Sequence, residues 1–183
     1  RRVSWGSEMC IRDRKQLLGE ALTLRALHYI DLINMWGDVP ARLTSLNADN
    51  MYSGREDRDV IYKQLIIDLQ EAQDLCAWPN EIDATKTVER VNKVFVKGLL
   101  ARVCLQASGY AQRLDGENRL STDPELSKAR LYPIALQACK DVMEQEGTYV
   151  ALKSNFEDIF NNNGISGDVI NAGSESLFEI GYS

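Results

Sequence analysis

The chain has 183 residues, of which 44% are hydrophobic and 26% are charged, a balance typical of a soluble globular domain or of part of a larger one. Its net charge of −6 argues against a nucleic-acid-binding protein, because nucleic-acid affinity comes mainly from cations that neutralise phosphates. No apolar run approaches the roughly 18 residues that a membrane span needs, so the sequence predicts no transmembrane helix.

Residues 1–14 show neither a helical nor a strand period, and they predict a poorly ordered arm that is not native to the protein. The segment carries charges but no hydrophobic stretch, so we expect no signal peptide within it. Cys10 follows Ser7-Glu8-Met9, which lacks the small and aliphatic residues that precede a lipidated cysteine. We therefore expect no lipid on Cys10.

Residues 15–40 predict the longest helix, which ends at the turn Gly37-Asp38-Val39-Pro40. A polar strip is left by Glu20, Thr23, Asp31 and Asn34. The remaining circumference is largely apolar, with one face formed by Leu18, Leu22, Ala26, Tyr29, Ile33 and Trp36 and widened by Leu17, Ala21, Leu24 and Leu32. A helix that is apolar most of the way round has neighbours on two sides, so the pattern predicts an inner member of a helical stack.

Two polar residues of this first helix fall within or beside its apolar face. We expect His28 to be a hydrogen-bonded core histidine. Arg25 should be partly buried, and because an unpaired buried charge is costly it needs a carboxylate, with Asp38 or Asp68 as the candidates.

Three further helices are predicted, beginning at Asp57 or Asp59 and ending before Pro79, then over Val91–Ala107 and Ala129–Glu146. In the third helix, Lys93 and Lys97 mark the solvent side, and Gly98 predicts the close approach of a neighbouring helix. In the fourth, Gly147 is expected as the left-handed residue after the helix end. The residues expected to face inward from the fourth helix are Tyr132, Ala135, Leu136, Cys139, Val142 and Met143.

The C-terminal part is less regular. Residues 155–160 predict one helical turn, residues 161–164 a loop, and residues 176–180 a strand. The second, third and fourth helices recur at about the 34-residue period of tetratricopeptide repeats. The predicted fold is therefore mainly all-α, with loops and a short C-terminal strand. Four long helices with polar connectors fit either a bundle or a solenoid of helix pairs, and the period favours the solenoid.

The sequence contains none of the common catalytic motifs, such as a nucleophile elbow, a phosphate-binding glycine loop or a zinc-protease helix. Its four cysteines lie far apart and its one histidine cannot complete a zinc site, so we expect no metal and no cofactor. Cys76, Cys104 and Cys139 lie in predicted helices and are interpreted as small buried hydrophobic residues.

Three aromatic residues are weak candidates for ligand binding. Trp78 falls at a helix end before Pro79, and Tyr52 and Tyr110 fall in predicted loops. Exposed aromatic rings can stack on the faces of sugars, since they offer a large contact area at a low cost in entropy. The alternative is that each ring covers an edge of the core.

Residues 19–180 resemble the SusD/RagB family of outer-membrane nutrient-binding lipoproteins. Four blocks carry the resemblance in the order in which the family has them. The third block has Cys104 where the family more often has tyrosine. The blocks are GEALTLRALHYIDLINMWGDVP, DRDVIYKQLIIDLQEAQDLC, RVNKVFVKGLLARVCLQASGY, and YPIALQACKDVMEQEGTYVALKSNFEDIFNNNG followed by SESLFEI.

The resemblance implies a tetratricopeptide-like scaffold of helix pairs that carries an irregular ligand-binding portion. It also implies a lipid anchor that holds the protein at the cell surface, on the outer membrane of Bacteroidetes-type bacteria. It implies two partners, a SusC-like TonB-dependent transporter and an oligosaccharide or other nutrient, and no enzymatic activity. The family's lipidated N-terminus and long C-terminal region are not in the chain, so we expect residues 15–183 to be a helical domain truncated at both ends. No binding residue is transferred by position. The rival interpretation is a tetratricopeptide-type scaffold for protein–protein interaction.

Overall fold

The computed structural model describes residues 5–45, 47–48, 51–157, 159 and 172–180, with side chains from residue 11 onward. These residues form four α-helices, which pack in chain order so that each contacts the next. A two-stranded antiparallel hairpin follows the third helix, and short 3-10 turns lie at 83–85 and 124–126. The predicted, mainly helical fold is confirmed. The helices are α1 (Trp5–Trp36), α2 (Arg58–Leu75), α3 (Lys93–Ala107) and α4 (Lys128–Met143), and the strands are β1 (Ala111–Gln112) and β2 (Asn118–Arg119).

Helix α1 begins at Trp5, so the prediction of an arm without regular structure is wrong for residues 5–14. Glu8, Met9 and Arg12 have good helix propensity, and adding turns to a helix that already exists costs little. At its other end the predicted stop is confirmed. Gly37 adopts the left-handed conformation (φ +73°), and its N–H donates to the Ile33 carbonyl at 2.9 Å.

Among the described residues, helix α1 lies at one edge of the stack and packs mainly on α2, so the predicted inner position is wrong for this part of the chain. Thr23, expected on the polar strip, is fully buried and donates its hydroxyl proton to the Gly19 carbonyl at 2.7 Å. His28, expected in the core, is exposed. The helix buries one side and leaves much of its second apolar side in solvent, including Leu17, Leu18, Leu32, Met35 and Trp36.

Helices α2 and α3 form the centre of the core, and both have capped N-termini. Asp57 accepts a hydrogen bond from Asp59 N, which confirms one of the two predicted caps. Asn92 caps α3 by accepting from Phe95 N at 3.1 Å. Lys97, predicted to mark the solvent side of α3, is instead buried.

Glycines mark two different contacts of the helices. The expected helix approach at Gly98 is wrong, because the atom that a Cβ there would meet is Leu177 Cδ1, at 3.5 Å. The close helix approach occurs at Gly19 of α1, where a Cβ would lie 2.5 Å from Cys76 Sγ and 3.2 Å from Leu75 Cβ. Gly19 therefore sets how closely α1 packs on the end of α2.

Helix α4 faces the core through a different side from the predicted one. Its buried residues are Leu131, Ala135 and Ala138, of which only Ala135 was expected. Four residues predicted to face inward are exposed: Tyr132, Leu136, Cys139 and Met143. Small alanine side chains let α3 approach closely, and this contact turns the larger side chains outward. Gly147 is left-handed (φ +79°), but it lies beyond the helix end at Met143 rather than directly after it.

The C-terminal segment 172–180 packs across the start of α3. Residues 176–180 do not form the predicted strand, because one backbone bond, Glu179 N to the Val88 carbonyl at 2.9 Å, does not make a ladder. Phe178 stacks on Phe95 at 4.4 Å. Of the turn predicted at 155–160, Glu157 and Ile159 are helical, and residue 160 and the loop 161–164 lie outside the described residues.

Two buried carboxylates join α1 to α2. Arg25 pairs with Asp68 at 2.6 Å, which decides between the two predicted partners. Asp38 instead accepts from Arg58 N at 3.0 Å and from Arg58 Nε at 2.9 Å. The left-handed turn at Gly37 thus places the Asp38 carboxylate at the N-terminus of α2, where a negative charge is favourable.

Candidate functional site

The stack has two ends, and they differ in chemistry. At the hairpin end, where α2 begins, Arg58 donates to the Gln112 carbonyl at 2.7 Å, and Arg113 pairs with Asp59 at 2.6 Å. At the opposite end, α2 finishes, α3 begins and α4 finishes, because neighbouring helices run in opposite directions. The 18 residues of α2 separate the two ends by about 27 Å.

Two of the three predicted aromatic candidates lie at the hairpin end. Tyr52, in the loop that precedes α2, is 92% exposed, and Tyr110, directly after α3, is 69% exposed. Neither ring covers the core, so both are free to contact a ligand.

Trp78 lies at the opposite end, so the three candidates do not form one site. Its ring stacks on Tyr149 with centroids 5.2 Å apart and planes 4° from parallel. The Lys93 ammonium also lies over the ring, 5.4 Å from its centroid. Trp78 is therefore held in a fixed position by contacts within the protein, and a ligand would meet the ring at its edge.

Beside Trp78 is an open cleft of about 230 Å³, which we call the Trp78 cleft. Its lining comes from the end of α2, the start of α3 and the end of α4 with the turn after it. Almost all the side chains that line it are polar. They are Gln73, Asp74, Trp78, Lys93, Lys97, Asp141, Glu144 and Gln145.

A hydrogen-bonded network fixes the floor of the Trp78 cleft. The buried Lys97 ammonium donates to Asp141 at 2.6 Å and to Gln73 at 3.1 Å. Gln137 donates to the other oxygen of Asp141, also at 2.6 Å. The bond from Lys97 lowers the pKa of Asp141, and the bond from Gln137 lowers it further against the opposing effect of burial. Asp141 is therefore a fixed carboxylate that joins α4 to α3, and Lys97 extends the network to α2 through Gln73.

The chemistry of the cleft suits a small ligand rich in hydroxyl groups. Carboxylates accept hydrogen bonds from hydroxyl groups, and amides both accept from them and donate to them. The three carboxylates and two ammonium groups leave little net charge to select an ion. A volume below the roughly 300 Å³ at which sites for drug-sized ligands begin suits one polar ring. The arrangement can bind such a ring, and its fixed floor would orient it.

Sequence reasoning identified Trp78 but missed Lys97, Asp141 and Tyr149. A usable signal existed for Lys97, since it lies among Phe95, Val96 and Leu99 in a helix that is mostly apolar. A lysine in that position needs a carboxylate partner, as was argued for Arg25. No signal in the sequence pairs Tyr149 with Trp78, because that contact depends on how α4 ends.

No cysteine lines this cleft. Cys76 and Cys104 are buried as predicted, and burial raises the pKa of each thiol to about 12. Across the part of the chain that the structure describes, no cluster of histidine, cysteine and carboxylate side chains could hold a metal ion. None of the described helices has both the length and the hydrophobicity that crossing a membrane requires.

Comparison with known proteins gives one family match. The SusD-like family, described as starch-binding and associating with the outer membrane, matches residues 4–105, which is more than half of the chain. The match includes residues 4–14, most of the segment expected to be non-native, and the non-native origin of that segment stays a prediction. No curated protein matches the sequence.

Solved structures share the fold at low sequence identity. A SusD homologue from Bacteroides thetaiotaomicron is 20% identical with a TM-score of 0.65, over 82% of this chain and 26% of that one. A SusD superfamily protein from Bacteroides fragilis is 20% identical with a TM-score of 0.62, over 85% and 29%. A laminarin-binding SusD-like protein is 21% identical with a TM-score of 0.61, over 85% and 30%. The chain thus spans less than a third of the length of these structures.

Proposed function

Because the chain belongs to the SusD-like family, we propose that it serves in a cell-surface nutrient-binding subunit of a SusC/SusD-type TonB-dependent uptake system. The subunit would capture oligosaccharides for import across the outer membrane, held there by a lipid at the N-terminus of a longer protein. The observation that carries the proposal is the family match, whose description names starch binding and association with the outer membrane. The four helices would form the scaffold of this subunit.

The Trp78 cleft supports a direct part for these helices in binding sugar. Its lining combines hydrogen-bonding side chains with an immobilised aromatic ring, and its floor is fixed by the Lys97–Asp141 pair. We infer that one sugar ring of an oligosaccharide enters it, with Asp74 and Glu144 accepting hydrogen bonds from hydroxyl groups. The protein would bind this ligand without transforming it, in keeping with a family described by binding.

Titration of the chain with soluble oligosaccharides derived from starch and from laminarin, followed by calorimetry, tests this proposal. We expect binding of at least one series. Glu144→Gln and Asp74→Asn should each weaken it by about tenfold, the factor that corresponds to 1.4 kcal/mol. Tyr52→Ala and Tyr110→Ala are the matched controls at the hairpin end and should leave the affinity unchanged.

The opposite pattern of binding losses would place the sugar site at the hairpin end. If the two tyrosine variants lose binding and the two cleft variants keep it, the exposed rings at the hairpin end are the sugar platform and the Trp78 cleft is not. If neither oligosaccharide series binds, these helices take no direct part in sugar capture.

A second candidate function is the tetratricopeptide-type scaffold for protein–protein interaction, which the exposed apolar sides of α1 and α4 favour. The two functions predict different effects of the same substitutions. Sugar capture depends on the Trp78 cleft, whereas a protein contact would depend on large apolar residues such as Leu136 and Met35.

A further inference from the structure

The C-terminal segment 172–180 is hydrogen-bonded to the loop that carries Trp78. Both backbone polar groups of Ala172 take part: its N–H donates to the Lys86 carbonyl at 2.8 Å, and its carbonyl accepts from Asn80 Nδ2 at 2.7 Å. Ala172 is buried, so water does not readily replace either bond. Asn80 lies two residues after Trp78, so the segment holds this loop beside the ring of the Trp78 cleft.

The loop is a closed turn that links Trp78 to Asn80. The buried Thr85 donates its hydroxyl proton to the Trp78 carbonyl at 2.8 Å, and its own carbonyl accepts from Asn80 N at 2.9 Å. Asn80 has a left-handed backbone (φ +63°), which asparagine adopts more readily than most residues other than glycine. Because these bonds lie within one turn, a displacement of Asn80 also displaces the backbone of Trp78.

Gly173 lies between this turn and the second ring of the stacked pair. Trp78 stacks on Tyr149, and the Tyr149 carbonyl oxygen lies 3.5 Å from the position that a Cβ on Gly173 would take. The same Cβ would lie 2.8 Å from Asn80 Nδ2, closer than such atoms normally approach. Gly173 also has a left-handed backbone (φ +92°), which favours glycine. Its missing side chain therefore leaves the space in which the Asn80 amide reaches Ala172.

Asn80 and Gly173 do not line the Trp78 cleft, but they lie between the two backbones that carry its stacked rings. We propose that they are positioning residues of this cleft: the bond from Asn80 to the C-terminal segment, for which Gly173 leaves the space, fixes the Trp78–Tyr149 pair for a sugar ring. A ligand that meets a ring already in place does not have to order it, so this bond raises the affinity of the cleft. The part that concerns sugar rests on the proposed function.

Other contacts keep the C-terminal segment in place when this bond is removed. Glu179 N donates to the Val88 carbonyl at 2.9 Å, and Phe178 stacks on Phe95 with centroids 4.4 Å apart. Both contacts lie further along the segment. Loss of the one bond should therefore loosen the loop without releasing the whole segment or unfolding the helices.

Two variants remove the bond in different ways. Asn80→Gly keeps the left-handed backbone and removes the amide, whereas Gly173→Ala adds the methyl group that displaces the amide. Each should weaken the binding of an oligosaccharide by about two- to tenfold, the range that corresponds to the loss of one hydrogen bond. Gly116→Ala is the matched control, since its φ of +87° carries similar strain and nothing lies within 4 Å of its Cβ. It should leave the affinity unchanged.

The fluorescence of Trp78 separates positioning from a general loss of stability. The chain has three tryptophans, so Trp5→Phe and Trp36→Phe together leave Trp78 as the single one. In this background, quenching of the fluorescence by acrylamide should rise in both variants and stay unchanged in the control. Circular dichroism melts set a temperature at which every variant is folded, so that the comparison is between folded chains.

Combining the two substitutions gives the sharpest result. In the Asn80→Gly chain a methyl group at position 173 meets no amide, so Gly173→Ala should cause no further loss of affinity and no further rise in quenching. Losses that add in the double variant would show that the two residues act independently, and the proposal would be wrong. Quenching that stays unchanged in both single variants would also overturn it.

The two readouts distinguish failure of this inference from failure of the proposed function. If quenching rises in the variants while the affinity for sugar stays the same, the position of the rings does not serve binding, and the inference is wrong in that part. If the unchanged chain binds neither oligosaccharide series, the proposed function fails. The quenching measurement then decides by itself whether Asn80 and Gly173 position the rings.

Discussion

Helices α2 and α3 differ from helices α1 and α4 in how completely they use their apolar side chains. In α2, Leu65 and Leu69 have no exposed surface, and in α3 the same is true of Val96 and Cys104. Leu17 of α1 and Leu136 of α4 are more than half exposed. Among the described residues, α2 lies between α1 and α3, and α3 lies between α2 and α4, whereas α1 packs mainly on α2 and α4 mainly on α3.

This difference teaches that the inner helices are buried on two sides, whereas each outer helix combines a buried side with an exposed apolar one. The inner pair forms the centre of the core and has capped helix starts at Asp57 and Asn92, and α1 adds Ala26, Ile30 and Ile33 to that core. The outer pair supplies surface that is available for contacts beyond the described residues. Substitutions of the same chemical kind should therefore have unequal effects in the two places.

The largest effect is expected from truncating a leucine of an inner helix, compared with truncating a leucine of an outer helix. Leu65→Ala in α2 should lower the free energy of unfolding by about 2–5 kcal/mol, because it leaves a cavity in a fully buried site. Leu136→Ala in α4 should change it by less than about 0.5 kcal/mol. Urea denaturation measures both. Equal losses would show that α4 is packed as tightly as α2, and the comparison would fail.

Two glycines, Gly19 in an outer helix and Gly98 in an inner one, test how closely each helix is packed at that position. Gly19→Ala should destabilise the chain by about 1–3 kcal/mol, since the added methyl group would lie 2.5 Å from Cys76 Sγ in the contact of α1 with α2. Gly98→Ala meets only Leu177 at an ordinary 3.5 Å and should stabilise α3 by up to about 1 kcal/mol through helix propensity. Thermal melts of the two variants should shift in opposite directions, and a stabilising Gly19→Ala would contradict this account of the contact.

The contrast between inner and outer helices was the part of the fold that the sequence could not predict. The helices, the stop at Gly37 and the cap at Asp57 follow from local signals, which depend on a few neighbouring residues. Which side of a helix is covered depends on what packs there. For α4 the pattern offered two apolar sides, and the large residues Tyr132 and Leu136 favoured the wrong one.

The candidate site shows the same limit. Trp78 could be identified because a tryptophan at a helix end before a proline is a local feature. The Trp78 cleft itself is built from the ends of three helices, and Asp141 joins Lys97 across 44 residues of sequence. Such a pairing depends on how α3 and α4 pack, and a single sequence gives no direct measure of that packing.

The Lys97–Asp141 pair should matter more than an ion pair on the surface. Asp141→Asn removes the charge that compensates the buried Lys97 and should cost about 1–2 kcal/mol. Asp115→Asn breaks the exposed pair with Arg119, whose N–O distance of 2.9 Å is close to the 2.6 Å of the Lys97–Asp141 pair, and it should leave the unfolding midpoint unchanged. A comparable loss from both variants would mean that the floor of the Trp78 cleft is no more rigid than the surface.

The same pair predicts a pH dependence. Lys97 lowers the pKa of Asp141 in the folded chain, so the stabilisation is fully present above the ordinary aspartate pKa of about 3.9. It is lost as the pH falls below that value through the lowered pKa. The difference in the free energy of unfolding between the unchanged chain and Asp141→Asn should therefore shrink as the pH is lowered from about 6 to about 3, and denaturation measured at several pH values in this range tests it. A difference that stays constant over this range would exclude the ionised carboxylate as its source.

The smallest expected effects concern the residues at the starts of the helices, Asp57 for α2 and Ser127 for α4. Asp57 caps the inner helix α2 with a side-chain hydrogen bond, so Asp57→Ala should cost about 1 kcal/mol. Ser127 occupies the same position at the start of the outer helix α4 but makes no side-chain capping bond, and its hydroxyl donates to the Pro124 carbonyl instead. Ser127→Ala should therefore cost only a few tenths of a kcal/mol, at about the lower limit for the loss of an exposed hydrogen bond. Hydrogen exchange of the first-turn amides would localise each loss, with faster exchange at the start of α2 in the first variant and little change at the start of α4 in the second. If Ser127→Ala frayed α4 as strongly as Asp57→Ala frays α2, the outer helix would depend on its cap as much as the inner one does, and the difference between the two kinds of helix would lie in side-chain burial alone.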